Sequence, residues 1–305
     1  MSKLVTIIIP TYNYAEYVIE AVVSAIGQTY RPIEIIVVDD GSQDNTREVL
    51  AEFINAGKIH YIYQDNKGLA AARNTGLRSS GGEYISFLDA DDLMDEKKIE
   101  IQARYLDQHP ECGVTFSDFR FFKDNDRSNL IKPPVHHSGE LTLRDFIRGN
   151  FMPVHTTLVR QDVFKKAGYF DESLRECEDS DLWIRAMMAG IRFFYMDQVL
   201  AFYRLHGRQM VGSPVRLYKT LIEVITRYKE YDPASAGYAF AKYGLSVGKH
   251  LIYTGRKREG RGYLWGAVRY RKINIFTVIP LLLASCLFSG KTIQSMMRRL
   301  RNTGR

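Results

Sequence analysis

Two short runs rich in β-branched residues, Val5–Ile9 and Ile33–Val38, flank a stretch in which Val18, Ala21, Val22, Ala25 and Ile26 recur at helical spacing. Strand, amphipathic helix, strand is the βαβ unit, whose crossover leaves the two strands parallel. Further strands are expected at Ile59–Tyr63, Tyr84–Leu88 and Val114–Phe122, with helices after Asp44, after Lys67 and from about Glu96 to Gln108. This alternation predicts an α/β fold, a Rossmann-like, mostly parallel sheet flanked by helices. Ligands of such sheets sit at the carboxyl ends of the strands.

From Asp124 to Gly139 the pattern lapses into polar sequence containing Pro and His, and a mobile loop or boundary is expected there. A helix near Leu141–Arg148, a strand at His155–Val159, a helix at about Asp179–Ala189 and strands at Phe193–Met196 and Val199–Tyr203 follow. Beyond Pro214 the chain reads as helical, with Leu217, Leu221, Ile222 and Ile225 on one face. The division expected is a body over residues 1–213 and a helical extension over 214–305.

Charge separates along the same line. The segment Lys249–Arg305 holds 13 Lys and Arg against one acid, Glu259, so it carries +12 while residues 1–248 carry −5 of the net +7. An acidic body excludes a general nucleic-acid binder and leaves a basic tail able to meet an anionic surface. Within that tail, Ile275–Phe288 is strongly apolar but has 14 positions and contains Pro280. It falls short of the roughly 20 residues that a spanning helix needs. Flanked by Arg269, Arg271 and Lys272 and by Lys291, Arg298, Arg299 and Arg301, it suits a segment lying in the membrane interface. There each basic residue adds about 1 kcal/mol on an anionic leaflet. The competing reading packs the segment on the body or on a second copy of the chain. Cys112, Cys177 and Cys286 are odd in number and lack C-x-x-C spacing, which argues against a disulfide framework or zinc site and fits a reducing cytosol. The apolar start, cut by Pro10, reads as a buried strand and not as a signal peptide. The expected location is cytoplasmic, peripheral on the inner face of the cell membrane.

Polar loops follow three of the strands: PTYN after the first, DDGS after the second and FLDADD around the end of the fourth. Clustered carboxylates repel, so a cation or a set of donor groups is their natural complement. Asp89 and Asp91, two apart beyond an apolar strand, suit Mg²⁺ or Mn²⁺ bridging ligand phosphates. An EF-hand fails here, because Leu93 and Met94 stand where an oxygen ligand and Gly are needed. Asp92 and Asp95 read as helix N-caps. Asp39 and Asp40 precede Gly41, a pattern shared by plain turns and by receiver-type phosphoacceptors.

Taken together and in order, TIIIPTYN, VVDDGSQDNT, NKGLAAARNTG, FLDADD, ECEDSDLW and YRLH resemble glycosyltransferase family 2 over about residues 4–206. The resemblance implies a GT-A fold and inverting transfer from a nucleotide sugar, with a nucleotide-binding half over 1–122 and an acceptor half over 140–213. It implies that Pro10, Thr11 and Tyr12 line the base pocket and that Asp40 accepts a hydrogen bond from the base, leaving Asp39 structural. It puts Lys67 and Arg73 near the nucleotide, Asp89 on the ribose, and Asp91 on the metal, with His206 beside metal or diphosphate. Arg204 is a second basic group for that position, and His155 a weaker candidate facing the acceptor. From ECEDSDLW it takes Asp179 as the base, with Glu178 orienting acceptor or base; Trp183 reads as core.

A base on the face opposite the leaving diphosphate is what transfer to a hydroxyl requires, and a carboxylate at a helix start supplies it. The uracil edge, with one N–H donor, suits a carboxylate partner, so a UDP-sugar is the expected donor. Processive relatives carry Q-x-x-R-W, which neither Trp183 nor Trp265 completes, so one sugar per encounter is expected. The tail points to a glycan or lipid-linked acceptor at the membrane, and a homo-oligomer is open. Two rivals are a non-catalytic nucleotide-sugar scaffold and a nucleotidyltransferase. A dinucleotide-binding dehydrogenase is excluded, since PTYNYAEY replaces G-x-G-x-x-G after the first strand.

Overall fold

The structure is a computed structural model that describes residues 2–123, 126–131, 139–148, 152–207 and 214–269, and positions 278, 279, 282, 283, 285, 286 and 292. It divides into two compact units, one of residues 1–146 and 150–209 and one of residues 147–149 and 210–305.

The first unit opens with β1 (Val5–Thr11), α1 (Ala15–Ile26), β2 (Ile33–Asp39), the short helices α2 (Thr46–Val49) and α3 (Ala51–Asn55), and β3 (His60–Tyr63). Next come α4 (Leu69–Ser79), β4 (Tyr84–Phe87), β5 (Leu93–Met94), α5 (Lys98–Gln108), β6 (Cys112–Lys123), β7 (Asp126–Ile131) and β8 (Gly139–Leu141). The unit continues through α6 (Leu143–Ile147), a 3₁₀ turn (Val154–Thr156), β9 (Thr157–Arg160), α7 (Gln161–Ala167), α8 (Glu178–Met188) and β10 (Arg192–Leu205). The strands form one sheet in the order β3-β2-β1-β4-β9-β6-β10-β5, with β7 added on β6 and β8 on β10.

The pairs β1–β2, β2–β3, β1–β4 and β6–β10 are parallel, whereas β9 lies antiparallel between β4 and β6. Ile7 and Ile9 meet Val18, Ala21, Val22 and Ala25 of α1 on one face, and Ile36 and Val38 meet Ala72 of α4 on the other. Burial on both faces explains the unbroken apolar runs. Each fully buried Val or Ile contributes about 1.5–3 kcal/mol. Helix α4 lies so close to β1 that a Cβ at Gly76 would stand 2.4 Å from the Ile8 side chain.

Three expectations change here. Six residues of the stretch expected as a loop, Asp126–Ile131, form β7, antiparallel to β6, while 124–125 and 132–138 lie outside the described residues. Backbone pairing at a sheet edge needs no apolar side chain, so composition carries little trace of it. The strand expected from His155 starts at Thr157, because Val154–Thr156 forms the 3₁₀ turn. The two strands expected between Phe193 and Tyr203 are one, β10, with its register shifted between Met196 and Val199.

The second unit holds α9 (Pro214–Arg227), α10 (Pro233–Tyr253) and α11 (Lys257–Arg269). Pro233 occupies the first turn of α10, and Asp232 caps it by accepting from the Ser235 backbone N–H at 3.0 Å. At the α10–α11 crossing a Cβ on Gly260 would stand 2.8 Å from the Gly248 carbonyl oxygen, so only glycine allows this approach. Val278 and Leu282 are buried in one cluster with Ile252 and Leu264. No helix among the described residues is long and apolar enough to cross a membrane.

Candidate active site

The crevice lies where β1, β2 and β4 end. Pro10 and Thr11 are buried at the end of β1, and the Thr11 hydroxyl has no protein partner; Tyr12 beside it is 42% exposed. The Asp39 carboxylate accepts from the Ser42 N–H at 2.8 Å and the Tyr61 hydroxyl at 2.5 Å. Asp40 is also buried, and its oxygens accept from Gln64 Nε2 at 2.6 Å, Lys67 N at 2.9 Å and Gly68 N at 2.8 Å. That ties the end of β2 to the turn into α4. A carboxylate has about four lone-pair sites, so one remains for a ligand. The Lys67 side chain is exposed.

Asp89–Asp92 forms the acidic loop beyond β4. Asp89 is held by Arg73 of α4, whose Nη2 lies 2.6 Å from Asp89 Oδ1 while Nη1 bonds Glu178. Arg73 is 2% exposed and bridges the two carboxylates. Asp91 Oδ2 lies 2.9 Å from His206 Nε2, and the imidazole packs on the rings of Tyr14 and Tyr17. Burial, then the charges of Asp92 and Asp89, push the Asp91 carboxyl up to about 7, with His206 opposing.

Three expectations are corrected in this loop. Asp92 is no helix cap: it is fully buried, with Oδ2 3.0 Å from His155 Nδ1 and Oδ1 accepting from the Arg204 backbone N–H at 2.9 Å. Asp95 does accept from the Lys97 N–H at 2.9 Å at the start of α5. His155 is fully buried behind the loop and does not face an acceptor. Burial alone would lower its pKa, but the Asp92 carboxylate outweighs this and raises it. Arg204, 2% exposed, is spent on the Asp91 carbonyl at 2.7 Å and Glu20 at 2.9 Å, and stacks between Tyr17 and Phe122. It braces the loop through the Asp91 carbonyl.

Oxygen and imidazole donors held together amid excess negative charge suit Mn²⁺ or Mg²⁺. Asp91 with His206 supplies such a pair, and ligand atoms of Asp89, Asp92 and His155 also lie within 4.8 Å of one another. Asp89 is also engaged by Arg73, while each aspartate–histidine pair, Asp91–His206 and Asp92–His155, sets a carboxylate oxygen beside an imidazole nitrogen.

The opposite wall comes from α8. Cys177, at φ 62°, turns the chain so that Glu178 and Asp179 open the helix. Asp179 Oδ1 accepts from the Ser180 N–H at 2.6 Å. Burial, then the neighbouring Glu178 charge, push the Asp179 carboxyl up to about 7, while Arg73 pulls it down. Trp183 is fully buried core. The residue next to Arg73 does a matching job that sequence reading missed: Asn74 exchanges hydrogen bonds with the Phe170 backbone at 2.9 and 3.0 Å and donates to Glu172. Two consecutive residues of one helix thus hold both walls, a fact visible only once strand order brings 170–178 beside α4.

The family model for "Glycosyl transferase family 2" matches residues 6–168. An uncharacterized glycosyltransferase of Rickettsia typhi is 34% identical over 246 residues, 78% of this chain and 72% of that one. The putative teichuronic acid biosynthesis glycosyltransferase TuaG of Bacillus subtilis is 27% identical over 82% of this chain and 98% of its own. Among solved structures, S. aureus TarS 1–349 in complex with UDP-GlcNAc aligns with TM-score 0.62 at 20% identity, covering 88% of this chain and 91% of that one. The mannosyltransferase PcManGT of Pyrobaculum calidifontis, in complex with GDP-Man and Mn²⁺, aligns with TM-score 0.64 at 19% identity over 97% of this chain and 84% of its own. The sheet and its flanking helices are the GT-A fold of these neighbours, and the chain belongs to glycosyltransferase family 2.

Proposed function

We propose that this chain transfers a single sugar, with inversion, from a nucleotide diphosphate sugar to a hydroxyl of a glycan or lipid-linked acceptor in polysaccharide synthesis. The catalytic domain is assigned to residues 1–213. The carrying observation is the Arg73 bridge, which places Glu178 and Asp179 against the acidic loop that holds Asp89 and Asp91. Asp179 takes the proton of the acceptor hydroxyl as its oxygen bonds the anomeric carbon; the bond to the diphosphate breaks and the nucleoside diphosphate leaves with the electron pair. Glu178, fixed by Arg73, orients that base. Pro10, Thr11, Tyr12 and the last lone pair of Asp40 receive the base, Asp89 the ribose, and Lys67 the diphosphate. Asp91 and His206 would hold Mn²⁺ or Mg²⁺, which when bound offsets charge on the diphosphate.

UDP is the proposed nucleotide, supported by the UDP-GlcNAc complex of TarS; the GDP-Man complex of PcManGT makes GDP the nearest competitor. The polysaccharide setting is supported by TuaG. A cytoplasmic place on an anionic membrane, through the basic extension 214–305, completes the proposal. Calorimetry with UDP, GDP, CDP and TDP, with and without Mn²⁺, tests the donor site. Selective, metal-dependent UDP binding is the expected result, and folded protein that binds none of the four overturns the reading.

A further inference from the structure

The second unit offers a membrane a surface other than the apolar run 275–288. Val278 and Leu282 of that run are buried against Ile252 and Leu264, so these two side chains are not available to lipid. Helix α11 presents something different. Its Gly260, Leu264 and Ala267 are buried, and Arg258, Trp265 and Arg269 on the opposite side are exposed, with Arg261 at their edge. At about 100° per residue, positions 258, 265 and 269 fall within about 20° of one line along the helix.

Trp265 is 56% exposed, and Arg258, Arg261 and Arg269 have no acidic partner among the described residues. Glu259, the one acid of the helix, is taken by Lys219 at 2.5 Å and Arg256 at 2.6 Å. An uncompensated arginine row around an exposed indole matches the headgroup level of an anionic bilayer. The ring sits at the boundary, while the guanidinium groups reach the phosphates with their stems lying on apolar surface.

We propose, building on the membrane association above, that the Arg258–Arg261–Trp265–Arg269 face of α11 seats the chain on an anionic lipid surface.

The test is direct because the chain has two tryptophans and Trp183 is fully buried, which leaves Trp265 as the reporter. Full-length protein is titrated with vesicles of phosphatidylcholine alone or mixed with phosphatidylglycerol, while cosedimentation and tryptophan emission are followed. The anionic vesicles alone should bind it, with a blue shift that Trp265→Phe, with Trp183 retained, removes. Reversing Arg258 and Arg269 together to Glu should weaken binding at least about tenfold. Melting temperature and nucleotide binding of the variants show that they are folded. Vesicle binding with unshifted emission, or unaffected by the charge reversal, overturns this face and leaves membrane association standing. Failure of folded, nucleotide-binding protein to bind any vesicle, or equal binding to neutral ones, overturns both while the transferase reading survives. An equal blue shift with dextran sulfate would make the face a polyanion site and overturn the lipid assignment.

Discussion

At Asp179 the environment sets the chemistry. A carboxyl pushed up to about 7 by burial and by Glu178 is a stronger base than an exposed aspartate, yet it is protonated below that pH. Transfer activity, as kcat/KM, should therefore rise with pH through about 7. Removing the Glu178 charge with Glu178→Gln should move that rise to lower pH, because the main charge that opposes Arg73 at Asp179 is lost while burial still acts. A limb that stays in place would take the proton-accepting role away from Asp179. Asp179→Asn should cost about 10²–10⁴-fold in kcat and leave UDP binding intact by calorimetry. Asp91→Ala should abolish the Mn²⁺ dependence of that binding. Unchanged dependence would shift the cation to Asp89, Asp92 and His155, whose ligand atoms also converge.

Helix α5 shows how an element far from substrate shapes the site. Lys98 is fully buried and donates to Ser86 Oγ and the Thr157 carbonyl, both at 2.9 Å; Gln102 donates to the Thr156 carbonyl at 2.9 Å. These bonds hold the 3₁₀ turn that carries His155, and through His155 the acidic loop. Burial lowers the Lys98 pKa to about 7. Its folded value lies below its unfolded one, so between about pH 7 and 10 the unfolded chain binds the extra proton and stability climbs with pH. Lys98→Met should flatten that climb in urea titrations, and an unchanged profile would mean that Lys98 stays charged in the fold. None of this polar scaffold is legible in sequence, where Lys98 beside Ile99 resembles any helix lysine. By contrast, β1, β2 and the loops PTYN, DDGS and DADD stand out, since unbroken apolar runs ending in acids have few other uses. The packing of His155, Arg204 and Asp92 is not legible in sequence for one reason. Each is decided by a partner at least 60 positions away, across the antiparallel insertion of β9 or from the end of β10.

At the scale of the molecule, charge and apolar surface are apportioned between the two units. The acidic crevice lies in the first, and the excess of +12 lies in the segment from Lys249 onward. Salt should separate them. Raising ionic strength from 0.1 M to about 1 M shortens the screening length from about 10 Å to about 3 Å, so binding to anionic vesicles should fall steeply. On the proposed function, UDP affinity should change far less in the same buffers, and a parallel loss of both would contradict the division of labour. The double grip of α4 has a further consequence in evolutionary terms. Arg73 and Asn74 fasten the segment 170–178 to the acidic loop through one short stretch of chain. On the proposed function, substitutions in loops elsewhere around the crevice leave the Asp89 and Glu178 segments in alignment, so new acceptor specificities can arise without rebuilding the reaction centre.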